Sequence, residues 1–307
     1  MQTKGSLVHP RRFLYPLLYL CPMKQISELL NLLDLERLEV NLFRGESRSV
    51  GNARVFGGQV LAQSLAAAVQ TVPEDRYVHS LHGYFVLPGD LNIPIVFEVD
   101  RIRDGGSFTT RAVKAIQNGQ AIFHLTSSFQ LDQGGFDHQV DMPEVLQPEE
   151  LVSYEGMAKQ FGDQLPENIR KILSIERPLE FRPVEFLNPF NREKYAPVRN
   201  VWLRTKGEMP DDRRQQALVL AYASDYNLLT TALLPHGRAA DYRNLQMASL
   251  DHAMWFHRPF RTDEWLLYSM DSPSASGARG FTRGNIFDVE GKLVASVVQE
   301  GLLREKH

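Results

Sequence analysis

The chain has 307 residues, about twice the ~150 that serve as a prior for one domain, so two domains or a duplicated one are expected. Its 43% hydrophobic and 23% charged residues exclude the disordered, collagenous and membrane classes. Lys+Arg 34 against Asp+Glu 37 give a net charge of -3, with no overall basic field to collect nucleic acid or an anionic membrane, and the single cysteine, Cys21, can form neither an internal disulfide nor a two-thiolate metal site.

In chain order, residues 1–22 carry Arg11 and Arg12 ahead of a short apolar run, Phe13 to Cys21, broken by Pro16. The run falls well short of the ~20 apolar residues that span a bilayer, and it lacks a small-residue cleavage site. We read it as a disordered extension and place the protein in the cytoplasm, since Glu305-Lys306-His307 is not a peroxisomal address. Helical spacing begins at Met23, with Ile26, Leu29, Leu30 and Leu33 on one face.

The first repeat, 23–132, then shows an apolar helix, Gly58 to Thr71 before Pro73, and four strand-like runs: Val78 to Val86, Ile93 to Val99, Phe108 to Ile116 and Ala121 to Gln130. Asn118-Gly119 between the last two is a hairpin turn signal. Residues 133–177, rich in acidic residues, Gln and Pro, read as a linker with a surface helix at Glu149 to Phe161. The second repeat, 178–307, resumes the order with a helix from Gln215 to Leu234 before Pro235. Its strands are Met247 to Phe256, Trp265 to Met270, Gly280 to Phe287 and Leu293 to Leu303, with Glu290-Gly291 at the matching turn. A helix followed by an antiparallel meander, twice, predicts an α+β protein of two tandem repeats, each a sheet curled around a central helix. Ser80 precedes Gln130 by 50 residues, as Ser249 precedes Gln299, which pairs those residues across the repeats. Aligning Pro73 with Pro235 sets Gln63 opposite Asp225, so only the second half carries a carboxylate there.

Asp225 is the most informative residue. On the expected helix its neighbours at three, four and seven positions are Leu218, Ala221, Tyr222, Leu228, Leu229 and Ala232, and burying a carboxylate on such a stripe is costly unless it is compensated. It is either tied down structurally or chemically useful. Ser249 and Gln299 taken singly read as structural, with Ser249 sharing a strand face with Asp251, Ala253, Trp255 and His257. The chain has no GxSxG, GxGxxG, P-loop or HExxH motif. His79 and His82, and likewise His252 and His257, fall on opposite strand faces and read as core or surface histidines rather than metal ligands.

Val55-Phe56-Gly57-Gly58-Gln59, His79-Ser80-Leu81-His82-Gly83-Tyr84-Phe85, Ala223-Ser224-Asp225, Ser249-Leu250-Asp251-His252-Ala253-Met254-Trp255-Phe256-His257 and Val298-Gln299-Glu300-Gly301 together resemble the acyl-CoA thioesterase II family, of TesB type. The resemblance runs from about Met23 to Arg304. It implies a double hotdog fold, hydrolysis of medium- to long-chain acyl-CoA, no cofactor and no metal, an acyl-CoA partner without nucleic acid or membrane, and a homo-oligomer. The family's water-activating trio falls on Asp225, Ser249 and Gln299, in the second repeat only. Gly57 and Gly58, at a helix start, are the candidate oxyanion or substrate-positioning amides. Whether Asp225 acts as general base or nucleophile stays open. The alternatives are a hotdog enoyl-CoA hydratase, disfavoured because Asp225-Tyr226-Asn227 continues Leu228-Leu229-Thr230 without the expected His, and a non-catalytic acyl-CoA-binding module.

Overall fold

Each half has, ahead of its central helix, two strands that hydropathy patterning does not mark. The computed structural model describes residues 23–51, 53–185, 187–188, 193–237 and 244–306; the extension expected over 1–22, with Cys21, lies outside the described residues. The first half runs α1 (Ile26–Leu33), β1 (Glu36–Glu39), β2 (Leu42–Gly45), α2 (Gly57–Val69), β3 (Arg76–Phe85), β4 (Ile95–Asp104), β5 (Phe108–Gln117) and β6 (Gln120–Leu131). After α3 (Tyr154–Phe161) and α4 (Glu167–Leu173) come β7 (Leu179–Pro183), β8 (Val198–Thr205), α5 (Arg213–Ser224) and a 3-10 helix, Leu229–His236. The chain ends with β9 (Leu245–Ser249), β10 (Asp251–Phe256), β11 (Leu266–Ser276), β12 (Arg279–Asp288) and β13 (Leu293–Glu305).

The strands form one antiparallel sheet in the order β1-β2-β4-β5-β6-β3-β10-β13-β12-β11-β8-β7, with β9 also on β13. Each half contributes the same internal order, and β3 and β10 join the two halves through pairs such as Leu81 with Met254. The expected double hotdog is therefore present, joined into a continuous sheet. The first half-sheet packs on α2 and the second chiefly on the 3-10 helix that follows α5, while α5 lies against α2, α1 and β3, so both helices are enclosed on most sides. Gly58 to Ala68 of α2 and Gln216 to Ser224 of α5 are buried without interruption. Buried small residues, Ala62, Ala66, Ala67 and Ala68 of α2 and Ala217, Ala221 and Ala223 of α5, suit this close packing. The stretch Arg213–His236 has the length and apolarity of a membrane span, yet it is mostly buried inside the protein.

Two sequence expectations are corrected here. The helix expected from Gln215 to Leu234 stops at Ser224: Asp225 caps it, Asn227 takes a left-handed φ of 66°, and the chain restarts as the 3-10 helix containing Pro235. Asn tolerates that conformation better than other non-glycine residues, because its short amide bonds locally. With the helix ends as landmarks, Gln70, the C-cap of α2, stands opposite Asp225. Gln63 lies two turns inside α2, fully buried, donating to the carbonyls of Leu32 and Glu46.

The second correction concerns the 50-residue spacing, which is a coincidence. Were both strands shifted by that equivalence, Tyr84–His124 would map onto Ala253–Leu293, but Ala253 pairs with Val298. A match on both sides of the β3 irregularity puts Tyr84–His124 on Trp255–Ser296 and Val78–Phe129 on Ser249–Gly301. It also carries Gly119 onto Gly291, both with positive φ in their hairpin turns. Ser249 thus corresponds to Val78, His252 to Leu81 and Gln299 to Ser127. Ser80 and Gln130 are not relics of the trio.

Candidate active site

The start of α2 and the end of α5 meet closely enough to require glycine. A Cβ on Gly58 would stand 2.4 Å from the Tyr222 carbonyl oxygen, and one on Gly57 2.7 Å from Asp225 Oδ2. Asp225 sits at the negative end of α5, an unfavourable place for a carboxylate, but also at the positive start of α2. There Gly58 N–H donates to its Oδ2 at 2.9 Å, while Gln299 Nε2 donates to its Oδ1 at 2.7 Å. Among the described residues no cation pairs with this half-buried carboxylate, and the two donors compensate it. This corrects one expected role: the Gly58 amide is spent on Asp225, and of the two candidate oxyanion donors the Gly57 N–H alone makes no hydrogen bond among the described residues.

Gln299 is fully buried on β13, opposite Thr282 of β12, and on the other edge falls between the segments that pair with β9 and β10. Ser249 on β9 faces Gly301 and Ala253 on β10 faces Val298, so one strand spends an extra residue in the interval, a β-bulge. Asp251 Oδ1 fills the gap by accepting the Glu300 N–H at 2.6 Å. The bulge flips side-chain parity, so Ser249 does not share the face of Asp251 and His257 that regular alternation predicts. Instead Ser249 Oγ accepts from Gln299 Nε2 at 3.0 Å, and His252 Nδ1 lies 3.3 Å from the same nitrogen.

The structure thus brings Asp225, Ser249 and Gln299 together and adds His252, read from sequence as a core histidine. Strand alternation across an unseen bulge concealed it. Its ring state follows from its neighbours. Ser224 Oγ donates to the Ala221 carbonyl at 2.9 Å, so it accepts from His252 Nε2–H, also at 2.9 Å, and Nδ1 keeps its lone pair. That lone pair requires the Gln299 amide to present its NH2 side, which is the orientation Asp225 also needs. Among the described residues the buried Gln299 carbonyl oxygen makes no hydrogen bond.

Burial lowers the pKa of His252 from 6.5 to about 4, opposed in part by the Asp225 charge, so the ring is neutral at pH 7. The unfolded ring takes up a proton near 6.5 and the folded one only near 4, so this contribution to stability is complete above pH 6.5 and is lost as pH falls towards 4. At ~1.4 kcal/mol per pKa unit it amounts to a few kcal/mol. His79 and His257, also lowered by burial, add to the same slope. His252→Gln, which keeps an amide acceptor but cannot titrate, is expected to flatten the dependence of Tm on pH between 4 and 6.5; an unchanged slope would assign the titration elsewhere.

Among the described residues no group of three His, Cys, Asp or Glu is placed to hold a metal. Comparison with known proteins gives a consistent result. Family models described as acyl-CoA thioesterase and acyl-CoA thioesterase N-terminal domain match residues 169–302 and 45–130. The chain is 43% identical over 279 residues to acyl-CoA thioesterase 2 of Haemophilus influenzae, covering 91% of this chain and 98% of that protein. The crystal structure of an acyl-CoA thioesterase II from Mycobacterium marinum, 44% identical, superposes with a TM-score of 0.73 over 89% of this chain and 97% of its own. A hot dog fold protein from Alicyclobacillus acidocaldarius, 19% identical, shares the fold at a TM-score of 0.71, over 90% and 97% of the two chains.

Proposed function

The chain belongs to the acyl-CoA thioesterase II family and hydrolyses acyl-CoA thioesters, and on that premise we propose that Asp225, Gln299 and Ser249 direct a water molecule at the thioester carbonyl. The observation that carries this reading is the double hold on Asp225, with one oxygen on Gly58 N–H and the other on the Gln299 amide. Each carboxylate oxygen keeps a lone pair for a water proton, so Asp225 serves as general base while its position stays fixed. Ser249 Oγ, already accepting from Gln299, keeps its own proton to donate to the water oxygen, which orients the attacking lone pair. A thiolate leaves with a pKa near the ~8.5 of cysteine, so no acid is needed on the sulfur. The Gly57 N–H, at the positive start of α2, is the proposed donor to the carbonyl oxygen as it gains charge. Of the rings packed beside this junction, Tyr222 and Phe181 are core, while Phe56 and Tyr226 are only partly buried and are the proposed apolar surface for a medium- to long-chain acyl group.

Release of CoA from octanoyl- and palmitoyl-CoA by the purified protein tests the reaction. Gln299→Ala and Ser249→Ala are expected to lower kcat by more than they raise KM, because both orient water rather than hold the acyl chain. A change confined to KM would remove them from the chemistry.

A further inference from the structure

The register that relates the two repeats leads from the active site to a second place. A cleft of about 460 Å³ opens at the other end of the paired central helices. It lies roughly 18 Å from Asp225, the length of the 12-residue α5 at ~1.5 Å per residue. Its wall carries Val78 and Phe129, the counterparts of Ser249 and Gly301, and Val69, which ends α2 as Ser224 ends α5. Where α2 begins with Gly57 and Gly58, α5 begins with Arg213 and Arg214, and both line the cleft. The trio has no counterpart here: Val78 stands in the wall where the second repeat has its serine, and the positions matching Asp225 and Gln299, Gln70 and Ser127, do not line the cleft. The matching place in the first repeat is thus an open cleft lined by positive charge rather than by water-activating groups.

Four arginines, Arg76, Arg213, Arg214 and Arg258, line it, against one carboxylate, Asp132. Arg214 is fixed by the carbonyls of Val72, Pro73 and Arg76, and Arg76 by Thr109 Oγ1 and the Gly106 carbonyl. Carbonyls orient a guanidinium without cancelling its charge. The Arg76 Nε is buried and makes no hydrogen bond among the described residues, with the exposed Asp75 carboxylate 3.9 Å away. Arg258 pairs with Asp137, and Arg213 stacks on Tyr77 at 3.8 Å while pairing with Asp132 at 2.6 Å. The Asp132 and Asp137 side chains are 68% and 74% exposed, and pairs this open are worth little, so an arriving anion can displace them. Between the arginines the wall is mixed, an apolar strip of Val69, Val78, Phe129 and Phe260 beside His79, His257, Gln130 and Gln216.

We infer that this cleft is a second, non-hydrolytic site that binds a fatty-acid carboxylate, the head on Arg213 and Arg76 and the chain along the apolar strip. The inference rests on the acyl-CoA reading only in that the reaction produces such an anion.

The test is equilibrium dialysis of radiolabelled dodecanoate against the full chain, beside the Arg213→Glu and Gln133→Trp variants, which alter the exposed rim. Both are expected to lose at least tenfold in affinity at one dodecanoate site while hydrolysing lauroyl-CoA at the normal rate. Equal binding by wild type and both variants would overturn the proposal. So would equal occupancy by dodecanol, which lacks the charge, or displacement of the Arg213-dependent dodecanoate by free CoA, which would mark a phosphate site. Failure of the wild type to release CoA would refute the hydrolase reading instead, and leaves the dodecanoate result standing.

Discussion

Asp225→Asn is expected to lower kcat by roughly 10²- to 10⁴-fold, the range for loss of a general base. The substitution preserves shape but halves the acceptors: Gly58 N–H and Gln299 Nε2 each donate to a separate oxygen of Asp225, and an asparagine has one. Its NH2 must face one of those donors, so a stability loss of about 1 to 3 kcal/mol accompanies the change. In a chain of this size that is a Tm shift of several degrees, at ~2–4 °C per kcal/mol. At 25 °C, far below the transition, the unfolded fraction stays negligible, so the two effects separate cleanly when turnover and melting are measured on the same preparation. Gln63→Ala supplies the contrast. It removes two hydrogen bonds to the carbonyls of Leu32 and Glu46 and should lower Tm, with kcat per folded molecule unchanged. Adding Gln299→Ala to Asp225→Asn should cost little further activity, because groups that act as one unit cannot be lost twice. A folded Asp225→Asn protein with near-normal turnover would sink the proposed site.

How far the sequence carried this picture depends on which interactions are local. The hairpin turns at Gly119 and Gly291 and the all-round apolar helices α2 and α5 are properties of short segments, and they are legible. The trio was reached by family resemblance, since nothing local marks Gln299 as different from any other strand glutamine. What sequence reading missed depends on register and on backbone breaks. One residue in the left-handed region, Asn227, turned an expected long helix into two pieces and moved Asp225 from a helix stripe to a helix end. One bulge after Ser249 reversed the parity of the strand that follows and hid His252. Both errors propagated into the repeat alignment, where the Pro73–Pro235 and 50-residue matches selected Gln63, Ser80 and Gln130. The expectation of one site per chain does not depend on those counterparts, because Gln70, Val78 and Ser127 are no better equipped to activate water.

The glycines at the helix junction separate shape from chemistry, and Gly58→Ala is expected to have the second large effect. Its new methyl would stand 2.4 Å from the Tyr222 carbonyl oxygen and 2.6 Å from the Phe56 ring. A ring can swing aside, but a carbonyl held within α5 cannot, so α2 and α5 must part at this end. Overpacking of this kind costs about 1 to 3 kcal/mol. The same displacement draws Gly58 N–H away from Asp225, so activity falls together with Tm. Gly57→Ala meets different atoms: Asp225 Oδ2 at 2.7 Å and the Phe85 ring at 3.1 Å, both side-chain groups that can yield. Its expected signature is near-normal stability with kcat lowered at least tenfold, because the carboxylate is pushed off its two donors while the helices stay in place. The pair of variants therefore dissects one junction, with Gly58 setting the helix separation and Gly57 leaving space for the base. Full activity in a stable Gly57→Ala protein would show that catalysis does not require Asp225 where α2 holds it.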